Sequence, residues 1–192
     1  GNPIIDHLLN VAENVHLTTD TGIEIKIIPN TEFDLHVPYR GQNILQVTRF
    51  IDKRLIDYFY RNPNELKTMN RRLFEELVAE LFHGFGYEVE LTKQTRDGGK
   101  DIIAIKNDLV NQKYLIECKR PDPKNPVGIA AVRELHNVKT TEGATKGIIV
   151  TTSTFTKGAR EHLDKHKWEL DGKTYDDIRA WLESYHSMMK KK

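Results

Sequence analysis

The sequence predicts an α/β fold: a mixed central sheet flanked by helices, preceded by an N-terminal α+β extension. Three observations predict it. Short runs rich in Ile, Val and Leu recur as "YEVELTK", "DIIAIK", "KYLIECK" and "KGIIVTTSTF". Segments with apolar residues at helical spacing precede, interrupt and follow these runs. The run from Ile102 to Ile105 is apolar at every position, which a strand covered on both faces requires and a one-faced sheet does not.

Each element follows in order. Residues 3–14, "PIIDHLLNVAEN", set Ile4, Ile5, Leu8, Leu9 and Val11 on one helix face. "TGIEIKIIPNTEFDLHVP" alternates Ile23, Ile25 and Ile27 around a "PN" turn and reads as two short strands or an arm. Residues 43–60 read as one amphipathic helix through Ile44, Leu45, Val47, Phe50, Ile51 and Leu55, broken by "RNPN". A second helix runs from about Glu65 to His83 through Leu73, Phe74, Leu77, Val78, Leu81 and Phe82. "GFG" closes it, as a glycine beyond a helix C-terminus does. Three strands follow, then proline-rich "RPDPKNPVG" and a helix near 128–139. A fourth strand at "KGIIVTTSTF", a helix at "TKGAREHLDKH" and a last helix at "TYDDIRAWLESYHSMM" complete the chain.

The bulk properties exclude several classes. A chain of 192 residues suits one full domain plus an extension, or two small domains. The formal net charge is +1, so no global basic field marks a nucleic-acid partner. The charge is uneven, a net of −3 over residues 1–66 and +4 over the rest, with part of that surplus in the terminal "KKK". A single cysteine, Cys118, excludes an internal disulfide framework and any Cys-rich zinc site, and points to a reducing, cytoplasmic setting. No apolar run approaches the roughly 18 residues of a membrane span, so no membrane partner is expected. The chain opens Gly-Asn-Pro without Met, which reads as a processed tag or an excised fragment of a larger protein with further domains.

The chemistry lies in "RDGGKDIIAIKNDLVNQKYLIECKRPDP", residues 96–123. Folding 101–106 back on 114–119 as a hairpin brings Asp101 beside Glu117 and Lys119. Alternation puts Glu117 and Lys119 on one face and Cys118 on the other. Two converging carboxylates repel unless a cation lies between them, and an all-oxygen pocket favours Mg²⁺, with Mn²⁺ substituting. Such an ion polarises a phosphoryl oxygen and acidifies a bound water, and a lysine there orients the water or neutralises developing charge. A structural ion pair capping the sheet edge is the alternative for the same three residues.

Asp, some fifteen residues, then Glu-x-Lys resembles the PD-(D/E)xK nuclease superfamily. The flanking text resembles its Mrr-like restriction endonuclease catalytic domain in four frames: "RRLFEELVAELFHGFGYEVE", "RDGGKDIIAI", "YLIECKR" and "ATKGIIVTTSTFTKGARE". The frames cover roughly residues 67–166 and imply a restriction-endonuclease-like core. The domain expected around it is 65–192, with 1–64, which resembles no known family, as an extension serving recognition, dimerisation or linkage. It implies Asp101 and Glu117 as metal ligands with the Cys118 carbonyl as a third, Lys119 as the catalytic lysine, and Glu75 as a supporting helix glutamate. The activity implied is metal-dependent endonucleolytic hydrolysis of double-stranded DNA, in restriction or defence, by a homodimer. A non-cleaving DNA-binding module on the same fold and a structure-selective, Holliday-junction-like nuclease are the alternatives. A glutamine often found on the following helix is absent from "VRELHNV", which leaves Arg133 and Glu134 without an assigned role.

Other candidates each carry a plainer alternative. Glu75, Glu76 and Glu80 share a polar helix flank that solvation alone would explain. Cys118 reads as a small buried hydrophobe rather than a nucleophile. His162 and His166 have zinc-capable i, i+4 spacing, but no third ligand is evident in the sequence and a solvated face is the expectation. Ser153, Thr154 and Lys157, at a strand-to-helix junction, suit either DNA phosphates or simple helix capping by Thr154 or Thr156. Lys93, Arg96, Lys100, Arg120 and Lys124 flank the proposed site and would track DNA phosphates, or are ordinary surface charges.

Overall fold

A computed structural model describes residues 16–18, 24–26, 50–92, 100–119, 122 and 124–190. The chain divides into two compact units, Gly1–Val47 and Thr48–Lys192. In the first, strand β1 (His16–Thr18) pairs antiparallel with β2 (Glu24–Lys26), Leu17 lying opposite Ile25. The strand expected around Ile25 therefore pairs with a segment that precedes it. The helix expected at 3–14 and the segment after "PN" lie outside the described residues.

The second unit runs α1 (Lys53–Arg61), a 3₁₀ turn (Pro63–Lys67), α2 (Arg71–Gly84), β3 (Glu88–Leu91), β4 (Ile102–Asn107) and β5 (Asn111–Cys118). It continues through α3 (Ile129–Thr141), β6 (Lys146–Val150), α4 (Lys157–Lys165), β7 (Leu170–Lys173) and α5 (Tyr175–Lys190). The sheet order is β3-β4-β5-β6-β7. β3, β4 and β5 are mutually antiparallel, whereas β5, β6 and β7 run parallel through the crossovers α3 and α4. The sheet is mixed and helix-flanked, as the apolar runs predicted.

Both faces are buried. Leu115, Ile149 and Leu170 join Val132 and Leu135 of α3 and Ala159 and Leu163 of α4 in one cluster. By the two-residue alternation, Ile102, Ala104 and Ile116 point to the opposite face, where α2 packs on β3, β4 and β5, and all three are fully buried. Helix α5 packs against α1 and α2.

Boundaries differ from the sequence expectation where a capping side chain decides them. The helix expected from residue 43 begins at Lys53 among the described residues, because Asp52 adopts extended backbone and its side chain accepts from the Arg54 N–H at 2.8 Å. The helix expected from Glu65 is instead a 3₁₀ turn, a break, and then α2, whose first turn is capped by Asn70 accepting from the Leu73 N–H at 2.8 Å. Beyond α2, Gly86 takes φ +89°, the left-handed conformation that "GFG" predicted.

β6 ends at Val150, so Thr151 to Phe155 leave the sheet. The edge strand β7, "LDGK", was not predicted: it has no apolar alternation, and only Leu170 of its four residues is buried. Parallel pairing to β6 recruits it. Gly172 permits that pairing, since a Cβ there would lie 2.7 Å from Leu163 and 2.9 Å from the Phe155 ring. Among the described residues, no helix is long and apolar enough to cross a membrane.

Candidate active site

The topology brings three chain segments to one edge of the sheet. β4 and β5 are antiparallel, with Ile102 opposite Ile116, so the start of β4 lies beside the end of β5. β5 and β6 are parallel, with Cys118 opposite Val150, so their carboxyl ends share that edge. In α/β sheets this is where ligands collect. Asp101 heads β4, Glu117 and Cys118 end β5, and Thr151, Thr152 and Ser153 follow β6.

Asp101 is held from two sides. Its Oδ2 accepts from the Cys118 backbone N–H at 2.7 Å and its Oδ1 from Arg71 Nη2 at 2.9 Å. Its own N–H donates to the Ile116 carbonyl at 2.8 Å, completing the ladder one residue before β4. Arg71 turns its Nε to Glu75 Oε1 at 2.8 Å, and Arg72 Nη1 lies 3.3 Å from Glu75 Oε2. Glu75 is 1% exposed. The solvated-flank alternative therefore fails for Glu75 and also for Glu80, which is buried and accepts from the Phe50 N–H at 2.9 Å. Glu75 serves Asp101 through Arg71, whereas Glu80 ties α2 to neighbouring chain.

Glu117 is 5% exposed. Its Oε1 accepts from Lys119 Nζ, and its Oε2 is buried with no hydrogen-bond partner among the described residues. Leu115 and Ile149, which share its face by register, belong to the α3/α4 cluster, so the carboxylate sits at the rim of apolar packing. Burial pushes its pKa above the usual carboxylate range. Lys119 opposes that shift, while the charges of Asp101 and Glu134 add to it. An unpartnered buried carboxylate oxygen is costly, and a bound divalent cation would offset that cost. The donors present, Asp101, Glu117 and the Cys118 carbonyl, are all oxygens and fit Mg²⁺ or Mn²⁺.

The Cys118 thiol is buried on the other face, and burial, followed by the charges of Asp101, Glu75 and Glu117, pushes its pKa well up. It is a packing residue, as expected, and its contributions to the site come from backbone. Lys119 is partly exposed and its N–H donates to the Val150 carbonyl at 2.9 Å, fixing the chain just beyond β5.

The remaining candidates divide. Ser153 Oγ and Thr152 Oγ1 are buried without partners among the described residues, in the loop after β6, while Thr154 is exposed. Thr156, not Thr154, caps α4 by accepting from the Ala159 N–H at 3.3 Å. Lys157 is exposed in the first turn of α4, 3.9 Å from Glu161. Lys124 is exposed, and Lys100 pairs with Glu142 in the turn after α3. Lys93, Arg96 and Arg120 lie outside the described residues.

Sequence reasoning missed Arg71. Its signal was present as the i, i+4 spacing to Glu75 on one helix face, but its second bond, to Asp101 thirty residues on, needed the fold. Glu134 likewise enters only through space, as a charge acting on Glu117.

Comparison with known proteins follows this geometry. The family model Mrr_cat, described as a restriction endonuclease, matches residues 66–181. Uncharacterized protein y4cE of Sinorhizobium fredii (strain NBRC 101917 / NGR234) is 35% identical over 113 residues, covering 56% of this chain and 28% of that protein. The chain thus spans little more than a quarter of that relative. Among solved structures, the DNA modification-dependent restriction endonuclease AspBHI aligns with a TM-score of 0.47 at 21% identity, over 71% of this chain and 40% of that one. The MspJI restriction endonuclease in complex with a 27-mer oligonucleotide aligns with a TM-score of 0.44 at 14% identity, over 76% of this chain and 35% of that one. With more than half its length matched by the family model, and with the acidic pair and lysine of the four sequence frames inside that span, the chain belongs to the Mrr-type restriction endonuclease family.

Proposed function

We propose that this domain is a divalent-metal-dependent endodeoxyribonuclease acting on double-stranded DNA. The observation that carries the reading is the buried Oε2 of Glu117, without a partner among the described residues, at the sheet edge it shares with Asp101, with Lys119 on the other oxygen. Asp101, Glu117 and the Cys118 carbonyl would hold Mg²⁺, with Mn²⁺ substituting. When bound, the ion supplies positive charge to the phosphoryl oxygens and acidifies a water.

The chain's own residues do the rest. Lys119, released from Glu117, donates to the attacking water or to the charge that builds on phosphorus. The water loses a proton to solvent as its oxygen attacks phosphorus in line, the opposite P–O ester bond breaks, and the leaving oxygen takes up a proton from solvent. Arg71 and Glu75 hold the Asp101 carboxylate in place, so Glu75 is a positioning residue. Ser153, Thr154, Lys157, Lys100 and Lys124, with Lys93, Arg96 and Arg120, are proposed DNA contacts. Residues 1–64 would serve recognition, dimerisation or linkage to further domains. Cutting both strands needs two sites, so a homodimer is the working assembly, and restriction or defence in the cytoplasm is its setting.

The test is supercoiled plasmid, methylated and unmethylated, incubated with Mg²⁺ or Mn²⁺ beside an EDTA control and Lys119→Ala. Nicking or linearisation that needs metal and is lost in the variant is expected. DNA retarded on a gel yet never cut would identify a non-cleaving module instead. A branched junction cut far faster than linear duplex would identify a structure-selective nuclease.

A further inference from the structure

Away from the sheet edge, three imidazoles converge on the helical layer. His136 projects from α3, His162 from α4, and His166 from the turn that ends α4. One nitrogen from each ring can be chosen so that all three lie within 4.8 Å of one another. The sequence offered only the i, i+4 pair on α4; the packing of α3 against α4 supplies the third ring. We propose that these three histidines form a transition-metal site, with Zn²⁺ as its ion, separate from the carboxylate site.

The geometry supports this on three counts. His136 Nδ1 and His162 Nε2 are 3.3 Å apart. Tetrahedral Zn²⁺ with Zn–N bonds of about 2.0–2.1 Å separates its ligand nitrogens by about 3.3–3.4 Å, so this pair already sits at ligand spacing. Next, the other nitrogen of His136, Nε2, lies 3.1 Å from Glu169 Oε2. A carboxylate on the far nitrogen fixes the tautomer, leaves Nδ1 with its lone pair, and raises the basicity of the ring. Lys139 Nζ donates to that same carboxylate oxygen at 3.1 Å, holding it in position.

Finally, the scaffold is rigid. The His166 carbonyl accepts from the N–H groups of Glu169 and Leu170, both at 2.8 Å, which fixes the turn carrying its ring. Val132 and Leu135 of α3 and Ala159 and Leu163 of α4, the buried residues of the two helices, belong to one core cluster.

Nitrogen donors select Zn²⁺, Ni²⁺ or Cu²⁺ over Mg²⁺, so the two sites differ in chemistry as well as place. All three rings are only partly buried, which leaves the fourth position to solvent. The ion would bridge two helices and the turn leading into β7, stapling the layer that covers one face of the sheet.

The test uses the full chain, stripped with chelator and titrated with Co²⁺ as a spectroscopic probe, then with Zn²⁺. One equivalent of Co²⁺ giving intense tetrahedral d–d absorption, displaced by one Zn²⁺, is expected. His136→Gln and His162→Gln should each weaken binding at least tenfold, whereas the double variant Asp101→Asn/Glu117→Gln should bind as the wild type does. Circular dichroism checks folding, and His162→Gln, on α4, serves if His136→Gln misfolds. Absence of binding by the wild type, or binding indifferent to both histidine variants, would overturn the site. Neither outcome bears on cleavage at the carboxylates.

Discussion

Glu117 concentrates the cost of function in one side chain. It is buried, its Oε2 has no partner among the described residues, and burial raises its pKa despite the Lys119 ammonium. A raised carboxyl pKa means that the folded protein binds the extra proton between the ordinary value of 4.5 and the folded one. In metal-free protein, stability therefore falls as pH rises through that window, and the full penalty persists above it. Glu117→Gln should raise the thermal midpoint of EDTA-treated protein at pH 8. That gain should shrink to nothing as pH drops below the ordinary carboxylate value, a trend that calorimetry at several pH values would follow. Arg71 acts differently. Arg71→Ala removes the group that joins Glu75 to Asp101, and single-turnover cleavage should slow by roughly 10–100-fold, as for other supports of metal ligands. Chemical denaturation should show a loss of about 1–3 kcal/mol, less than for a fully buried pair because Arg71 is half exposed. Asp101, Glu117 and Lys119 were legible in the sequence because period-two alternation and hairpin pairing both operate over short separations. Arg71 and Glu134 were not, because each reaches the site from a helix whose placement no local pattern encodes.

Among the elements, legibility followed hydrophobic content. β4, β5 and β6 each hold a run with apolar residues on both faces, Ile102–Ile105, Leu115–Ile116 and Ile148–Val150, and were readable at once. β7 was invisible, since "LDGK" owes its strand geometry to the parallel edge of β6 rather than to its own side chains. The starts of α1 and α2 were misplaced because Asp52 and Asn70 end the continuity that apolar spacing alone suggests. Gly172 makes the β7 claim testable. A side chain there would meet Leu163 and the Phe155 ring below 3.0 Å, so Gly172→Val should cost about 1–3 kcal/mol by overpacking. Its thermal midpoint should fall by roughly 2–4 °C per kcal/mol. An unchanged midpoint would mean that β7 does not pack against α4 as described.

Across the whole molecule, one sheet edge carries the proposed chemistry and one helical layer carries the histidine cluster. The antiparallel half of the sheet delivers Asp101, and the parallel half delivers the ends of β5 and β6, so the mixed topology itself assembles the site. The family match spans residues 66–181 and so covers both halves. The central claim is that Asp101, Glu117 and Lys119 act together as the cutting centre. Single-turnover cleavage of one duplex by Asp101→Asn, Glu117→Gln and Lys119→Ala, with DNA affinity measured alongside, tests it most directly. Each variant should lose at least about a thousandfold in rate, as groups acting as one unit do, while binding DNA within a few-fold of wild type. A wild-type rate in any one of the three would contradict it.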